Sequence, residues 1–156
     1  MVICKAALND IDTILDLLSQ VLEIHAAIRP DIFNQGVTKY RREELEEMVF
    51  DENNPIYVTK VNDEAVAYAF CQIRLTKFPH LMKPQKTLYI DDFCVDEKYR
   101  KQGIGKALFE FLVYEAERLG CDDITLNSWA GNIAANDFYA KMGMKPRSSI
   151  LEYKIK

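Results

Sequence analysis

No apolar run in this 156-residue chain is long enough to cross a bilayer. Its first residues carry no signal-peptide pattern either. No membrane partner is therefore expected, and the expected location is cytoplasmic. Basic residues are not in excess: 20 Lys and Arg stand against 24 Asp and Glu, for a formal net charge of −4. General nucleic-acid binding wants a basic face, so no nucleic-acid partner is expected. Cysteine is sparse. Cys4, Cys71, Cys94 and Cys121 lie far apart, and three of them fall within apolar strand-like runs. That is not metal-ligand spacing, so no metal is expected, and reduced core thiols are the natural reading. Internal repeats, low-complexity segments and linkers are also missing. Residues 1–156 are read as one domain.

What remains is an ordinary globular balance, 49% hydrophobic and 28% charged, with enough chain to bury a core. Val2 to Ala6 reads as a short strand. Asn9 is placed to cap a helix whose apolar row is Ile11, Ile14, Leu15, Leu18, Leu22 and His25. Pro30 ends it. A second helix is expected over Lys39 to Phe50, broken by Asn53-Asn54-Pro55. Strands over 56–61 and 65–75 are joined by a tight turn at Asn62-Asp63-Glu64. Residues 76–86 form a loop before a central strand, Leu88 to Val95. A helix runs from a glycine turn to Leu119 and stops at Gly120. A strand over 124–129 and a short helix over 132–142 follow. The tail alternates Leu151, Tyr153 and Ile155 against Glu152 and Lys154, the pattern of a closing strand with one wet face.

The glycine turn carries the chemistry. Arg100-Lys101-Gln102-Gly103-Ile104-Gly105-Lys106 follows a buried strand and opens an amphipathic helix. Free backbone N–H groups at a helix start, beside cations, form a phosphate-binding device. A Walker loop is excluded, because its first glycine and its Ser/Thr are replaced by Arg100 and Ala107. A dinucleotide fingerprint is excluded by Leu108 at its third glycine and by the absence of repeated βαβ units. Glycine placed there for packing alone remains open.

Two motifs in order resolve this by resemblance. Arg100-Lys101-Gln102-Gly103-Ile104-Gly105, directly after Phe93-Cys94-Val95, resembles the Arg/Gln-x-x-Gly-x-Gly/Ala signature of the GCN5-related N-acetyltransferase (GNAT) family. Asn132-Ile133-Ala134-Ala135-Asn136-Asp137-Phe138-Tyr139 through Gly143-Met144 resembles that family's second motif, with Met144 where an aromatic is common. The resemblance implies an α+β fold: a mixed, mostly antiparallel central sheet, splayed between two central strands and flanked by about four helices. It implies acetyl-CoA as cosubstrate. The pantetheine arm would lie along the backbone of Phe93, Cys94 and Val95. The diphosphate would lie on Arg100, Lys101, Gln102, Gly103, Ile104, Gly105 and Lys106. Asn132 and Asn136 would make polar contacts along it.

The resemblance also implies a reaction, direct acetyl transfer to a primary amine of a small molecule, an aminoglycoside-like compound, or a peptide or protein. Tyr139 stands where the family places the acid that protonates the departing thiolate, and a phenol suits that role. Asp91 and Asp92 flank the reacting region. Strand alternation is expected to turn them to opposite faces, leaving one to bind or deprotonate the amine. Cys94 has no histidine near in sequence to make it a nucleophile. The acceptor side is expected at His25, Arg29, Asp31, Phe33, Tyr40, Trp129 and the segment 77–83, with His25, Phe33 and Trp129 as binding residues. Family habit allows a homodimer. The alternative function is a non-catalytic acyl-CoA-binding or interaction module of the same fold.

Overall fold

A computed structural model describes all 156 residues. Five strands form one sheet in the order β1-β2-β3-β4-β5. They are β1 Val2–Lys5, β2 Ile56–Val61, β3 Glu64–Leu75, β4 Lys86–Val95 and β5 Asp123–Leu126. The first three pairings are antiparallel and β4–β5 is parallel. Four α-helices flank the sheet: α1 Ile11–Ile28, α2 Arg42–Met48, α3 Ile104–Arg118 and α4 Ile133–Lys141. This is the mixed, mostly antiparallel α+β architecture that the two motifs imply.

The sheet separates two apolar cores, as period-two alternation requires. On one face Tyr68 and Phe70 of β3 pack with Ile14, Leu17 and Leu18 of α1 and with Leu45 of α2. On the other, Ala67, Ala69 and Cys71 of β3 meet Leu108, Phe109 and Leu112 of α3. The small β3 residues let α3 approach closely, while the large aromatics fill the α1 side. A two-residue turn at Asn62 and Asp63, both with positive φ, joins β2 to β3, the backbone that tight hairpins favour.

Four expectations need correction. Asn9 does not cap α1. A short 3-10 turn over Leu8–Asp10 precedes that helix, and the Asp10 carboxylate accepts from the Ala7 N–H at 2.9 Å. Helix α2 covers only Arg42–Met48, because Arg41 before it is extended and its N–H donates to the Glu44 carboxylate at 2.7 Å, which sets the helix start. Strand β5 stops at Leu126 rather than Trp129. Residues 145–156 form no strand in the chain's own sheet. They run with no regular structure, and Ile150, Leu151, Tyr153 and Ile155 lie almost wholly in solvent.

Candidate active site

The splay follows from where pairing stops. The β4–β5 ladder ends at Ile90 with Leu126, while β4 continues to Val95 against β3. The Asp96 N–H donates to Val66 O across to β3 at 2.8 Å. Alternation then turns the backbone groups of Phe93 and Val95 the other way, toward the side that β5 has left. Cys94 backbone faces β3. An extended ligand can add to the open side as a strand would.

A bulge re-aims the next residues. Phe70 pairs with Asp92, yet Cys71 pairs with Ile90, so Asp91 is the extra residue. Leu88 and Ile90 face α3, and beyond the bulge Phe93 and Val95 do. Asp92 and Cys94 are thereby turned to the α1 face. Asp91 and Asp92 do not diverge as plain alternation would have them. Lys39 Nζ lies 2.8 Å from Asp91 Oδ2 and 3.7 Å from Asp92 Oδ2.

These two carboxyls are pushed in opposite directions. Burial alone would raise Asp91, but hydrogen bonds from Lys39 and from the Tyr40 hydroxyl, at 2.7 Å, hold it below the usual carboxylate range. Asp92 is dominated by burial, with its side chain only 9% exposed, and is raised despite Lys39 and a 3.2 Å bond from the Tyr68 hydroxyl. Two neighbouring groups with separated pKa values are a pattern of acid–base sites.

Asp91, Asp92, Phe93, Tyr139, His25, Phe33 and Trp129 line a single groove of about 480 Å³. Tyr139 is packed edge-on to Phe138, with ring centroids 5.4 Å apart, and its hydroxyl makes no hydrogen bond within the protein. Burial, then Asp92 and Cys94, push its phenol well above the ordinary range. The far rim is aromatic: His25 lies 5.1 Å from Phe33, and Phe33 meets Trp129 edge-on at 5.2 Å. Arg29 stands 5.9 Å over the Trp129 ring. Burial and the Lys39 charge lower the pKa of His25. Of the expected acceptor side, Arg29, Asp31, Tyr40 and segment 77–83 do not line this groove.

Helix α3 opens at Gly103, with φ +83°, and has neither a side-chain cap nor an acidic residue in its first turn. Its first N–H groups therefore lack internal partners, as an anion site needs. Gly105 has a different reason for being glycine. A Cβ there would meet the Phe138 ring at 3.3 Å and Val95 Cγ2 at 3.4 Å, so its smallness lets α4 close against β4 and α3. Lys101, Gln102 and Lys106 are exposed around the helix start. Arg100 Nε donates to Val95 O at 2.9 Å, bracing the strand end. Asn132 caps α4 by accepting from the Ala135 N–H at 3.3 Å. Asn136 accepts from the Ser128 hydroxyl and donates to Trp129 O and Ala130 O, which holds the turn after β5. The Cys94 thiol is pushed up to about 12, chiefly by burial, and faces Leu17 O. It is not poised as a nucleophile.

Two groups escape a reading of the sequence. Lys39 reaches Asp91 across 52 positions of chain, and Tyr68 reads only as a strand residue.

The groove thus brings paired carboxylates and a phenol together beside the splay, while the α3 start lies outside its lining. The chain belongs to the acetyltransferase (GNAT) family, whose pattern matches residues 18–144. It is 27% identical over 97 residues to N-alpha-acetyltransferase 30 of Xenopus laevis, covering 62% of this chain and 34% of that one. It is 33% identical over 82 residues to the [ribosomal protein bS18]-alanine N-acetyltransferase of Escherichia coli K12, covering 53% and 49% respectively. The matches thus span about a third to a half of those relatives. A crystal structure of a mutant of the BH1408 protein from Bacillus halodurans superposes over 100% of both chains, with a TM-score of 0.95 and 29% identity.

Proposed function

We propose that the chain is an N-acetyltransferase that moves an acetyl group from acetyl-CoA directly to a primary amine. The α-amine of a peptide or protein is the favoured acceptor. The observation that carries this is the convergence of an unpartnered phenol, Tyr139, and a buried carboxyl of raised pKa, Asp92, on the groove where β4 parts from β5. The Xenopus relative is an N-alpha-acetyltransferase and the Escherichia one acts on an alanine of ribosomal protein bS18, which supports the acceptor class.

In this reading the α3 start, with Lys101 and Lys106 nearby, holds the diphosphate, and the backbone of Phe93 and Val95 pairs the pantetheine arm. Asn132 contributes a polar contact beside it. Acetyl-CoA supplies an activated acyl carbon on a thiol leaving group. The acceptor ammonium enters between His25, Phe33 and Trp129 and replaces Lys39 at the carboxylates. Asp92 accepts its proton, directly or through water. The neutral nitrogen then bonds to the acyl carbon, and the Phe93 N–H stabilises charge on the carbonyl oxygen. As the C–S bond breaks, Tyr139 hydrogen-bonds and protonates the sulfur; the bonded nitrogen releases its second proton to water, and Tyr139 regains one from that water. Its raised pKa keeps it neutral at working pH, so it has a proton to offer. The four free thiols fit a reducing, cytoplasmic setting.

The test is a free-thiol assay with peptide and small amines. The variant Tyr139→Phe should keep acetyl-CoA affinity and lose about 10²–10⁴-fold in kcat. An acyl-CoA-binding module without catalysis would show binding and no amine-dependent thiol release from the unaltered protein.

A further inference from the structure

Lys39 already stands where the proposed reaction puts the acceptor's ammonium. Among the residues lining the groove it is the only one with an aliphatic amine. It belongs to the irregular segment between α1 and α2, which Tyr40 pins to the sheet. The Tyr40 ring stacks on Phe70 with centroids 5.3 Å apart, and its hydroxyl donates to Asp91 at 2.7 Å. Beside that anchor, Lys39 Nζ meets three oxygens of the β4 bulge. They are Asp91 Oδ2 at 2.8 Å, Asp91 O at 3.3 Å and Asp92 Oδ2 at 3.7 Å. An ammonium has three N–H donors, so the bulge presents one oxygen to each. The Lys39 side chain is still 41% exposed. These polar contacts hold it, and close packing does not.

An amine so placed has what acetyl transfer needs. The Asp92 carboxyl beside it, raised by burial, is a better base than an ordinary aspartate. Tyr139 lines the same groove. Asp91 lies two residues before Phe93, about 7 Å along an extended strand. The flexible four-carbon stem of a lysine covers that step by changing rotamers. Lys101 and Lys106 stand exposed at the α3 start, outside this groove.

We propose that Lys39 is acetylated by its own chain, with acetyl-CoA as donor. This rests on the acetyltransferase reading above. The Lys39 ammonium passes one proton to Asp92, and the neutral Nζ bonds to the acyl carbon. The C–S bond breaks, and Tyr139 protonates the departing sulfur. The bonded nitrogen releases its second proton to water, and Tyr139 regains one from that water. Asp92 returns its proton to solvent. The products are N-acetylated Lys39 and the free thiol of CoA. The new amide carries no charge, so the carboxylates lose their internal cation and an acceptor no longer has one to displace.

The full chain, incubated with acetyl-CoA and no acceptor, should gain one acetyl group per copy, mapped to Lys39 by peptide mass spectrometry. The rate should not depend on protein concentration, because amine and site share one chain. Tyr139→Phe should slow it by about 10²–10⁴-fold. Lys39→Arg, which keeps the charge, should take up no acetyl group on this timescale. An acceptor peptide should slow the modification, since it competes for the same carboxylates. Thiol release with a peptide, from a chain whose Lys39 stays unmodified even without one, overturns this inference and leaves the acetyltransferase reading standing. Absence of both overturns the two together. Acetylation of Lys39 that speeds up with protein concentration, or runs as fast in Tyr139→Phe, also overturns it, as transfer between copies or plain chemical acylation. So does acetyl uptake undiminished in Lys39→Arg.

Discussion

Asp91 and Asp92 are neighbours in sequence, and the difference between them is a matter of partners. Lys39 and Tyr40 both reach Asp91, whereas Asp92 has the more buried position and one phenol. An activity that needs Asp92 ionised falls as pH drops through its raised pKa. The rate should therefore show an acid limb at higher pH than an ordinary aspartate would give. Asp92→Asn should lower kcat/KM by about 10²–10⁴-fold and abolish that limb, with acetyl-CoA binding kept. Lys39 acts on the same group. Its charge lowers the Asp92 pKa, so Lys39→Met should move the acid limb to still higher pH. The substitution should also lower KM for a cationic acceptor, which no longer displaces an internal ammonium. A pH–rate profile of the two variants tests both statements. A limb that stays in place in Lys39→Met would remove Asp92 from the proton path.

At the scale of elements, the link between α3 and β2 is the polar one to test. Glu115 is 7% exposed, yet it accepts two bonds from Arg118, at 2.9 and 2.8 Å, and one from the Tyr57 hydroxyl at 3.0 Å. The Arg118 bonds lead in holding its carboxyl below the ordinary value, against burial. A depressed folded-state pKa contributes stability above the unfolded pKa, near ~4.3, and loses it as pH falls through the folded value. Glu115→Gln should therefore cost about 1–2 kcal/mol at neutral pH, a gap that closes in acid. Urea melts at two pH values measure it. A gap unchanged in acid would mean that packing, not charge, does the holding.

Elements of this kind were the most legible part of the sequence. The β2–β3 hairpin could be read from a polar turn between two apolar runs, and α3 from its apolar row and its glycine boundaries. Helix α4 could be read from Asn132 and Gly143. These are local signals, carried within a few residues. The site was legible only in part, because it depends on distance in sequence. No residue type marks the bulge at Asp91, which arises from the offset of β3 against β4 and reverses the facing of every later β4 residue. Lys39 is brought in by a loop that packs over a strand far along the chain. Gly105 was open in the sequence to either a ligand or a packing reason, and its neighbours supply the packing one, since Phe138 needs the space. The tail's alternation was visible, but alternation states that a strand has two unlike faces and not whether a sheet receives it.

The whole molecule is two cores sharing one sheet, and the splay is the place where that sheet is least continuous. Beyond Ile90 the two halves of the groove are tied through α3, α4 and the contact of Phe33 with Trp129 rather than by strand pairing. A ligand that binds the α3 start and pairs with the β4 backbone bridges these parts, so it should stabilise the folded chain as a unit. Acetyl-CoA at a hundredfold excess over Kd adds about 2.7 kcal/mol. For a domain of this size that raises Tm by about 5–10 °C. Pantetheine, which lacks the diphosphate, should give much less of the shift at equal concentration. Gly103 holds φ +83°, a left-handed backbone that a β-branched residue resists. Gly103→Val should consequently distort the cradle and remove most of the acetyl-CoA shift, while pantetheine's small shift persists, since the β4 edge is untouched. Equal shifts for the two ligands would show that the helix start contributes no binding. The diphosphate would then have to be held elsewhere, and the orientation of the thioester along β4 would lose its physical basis.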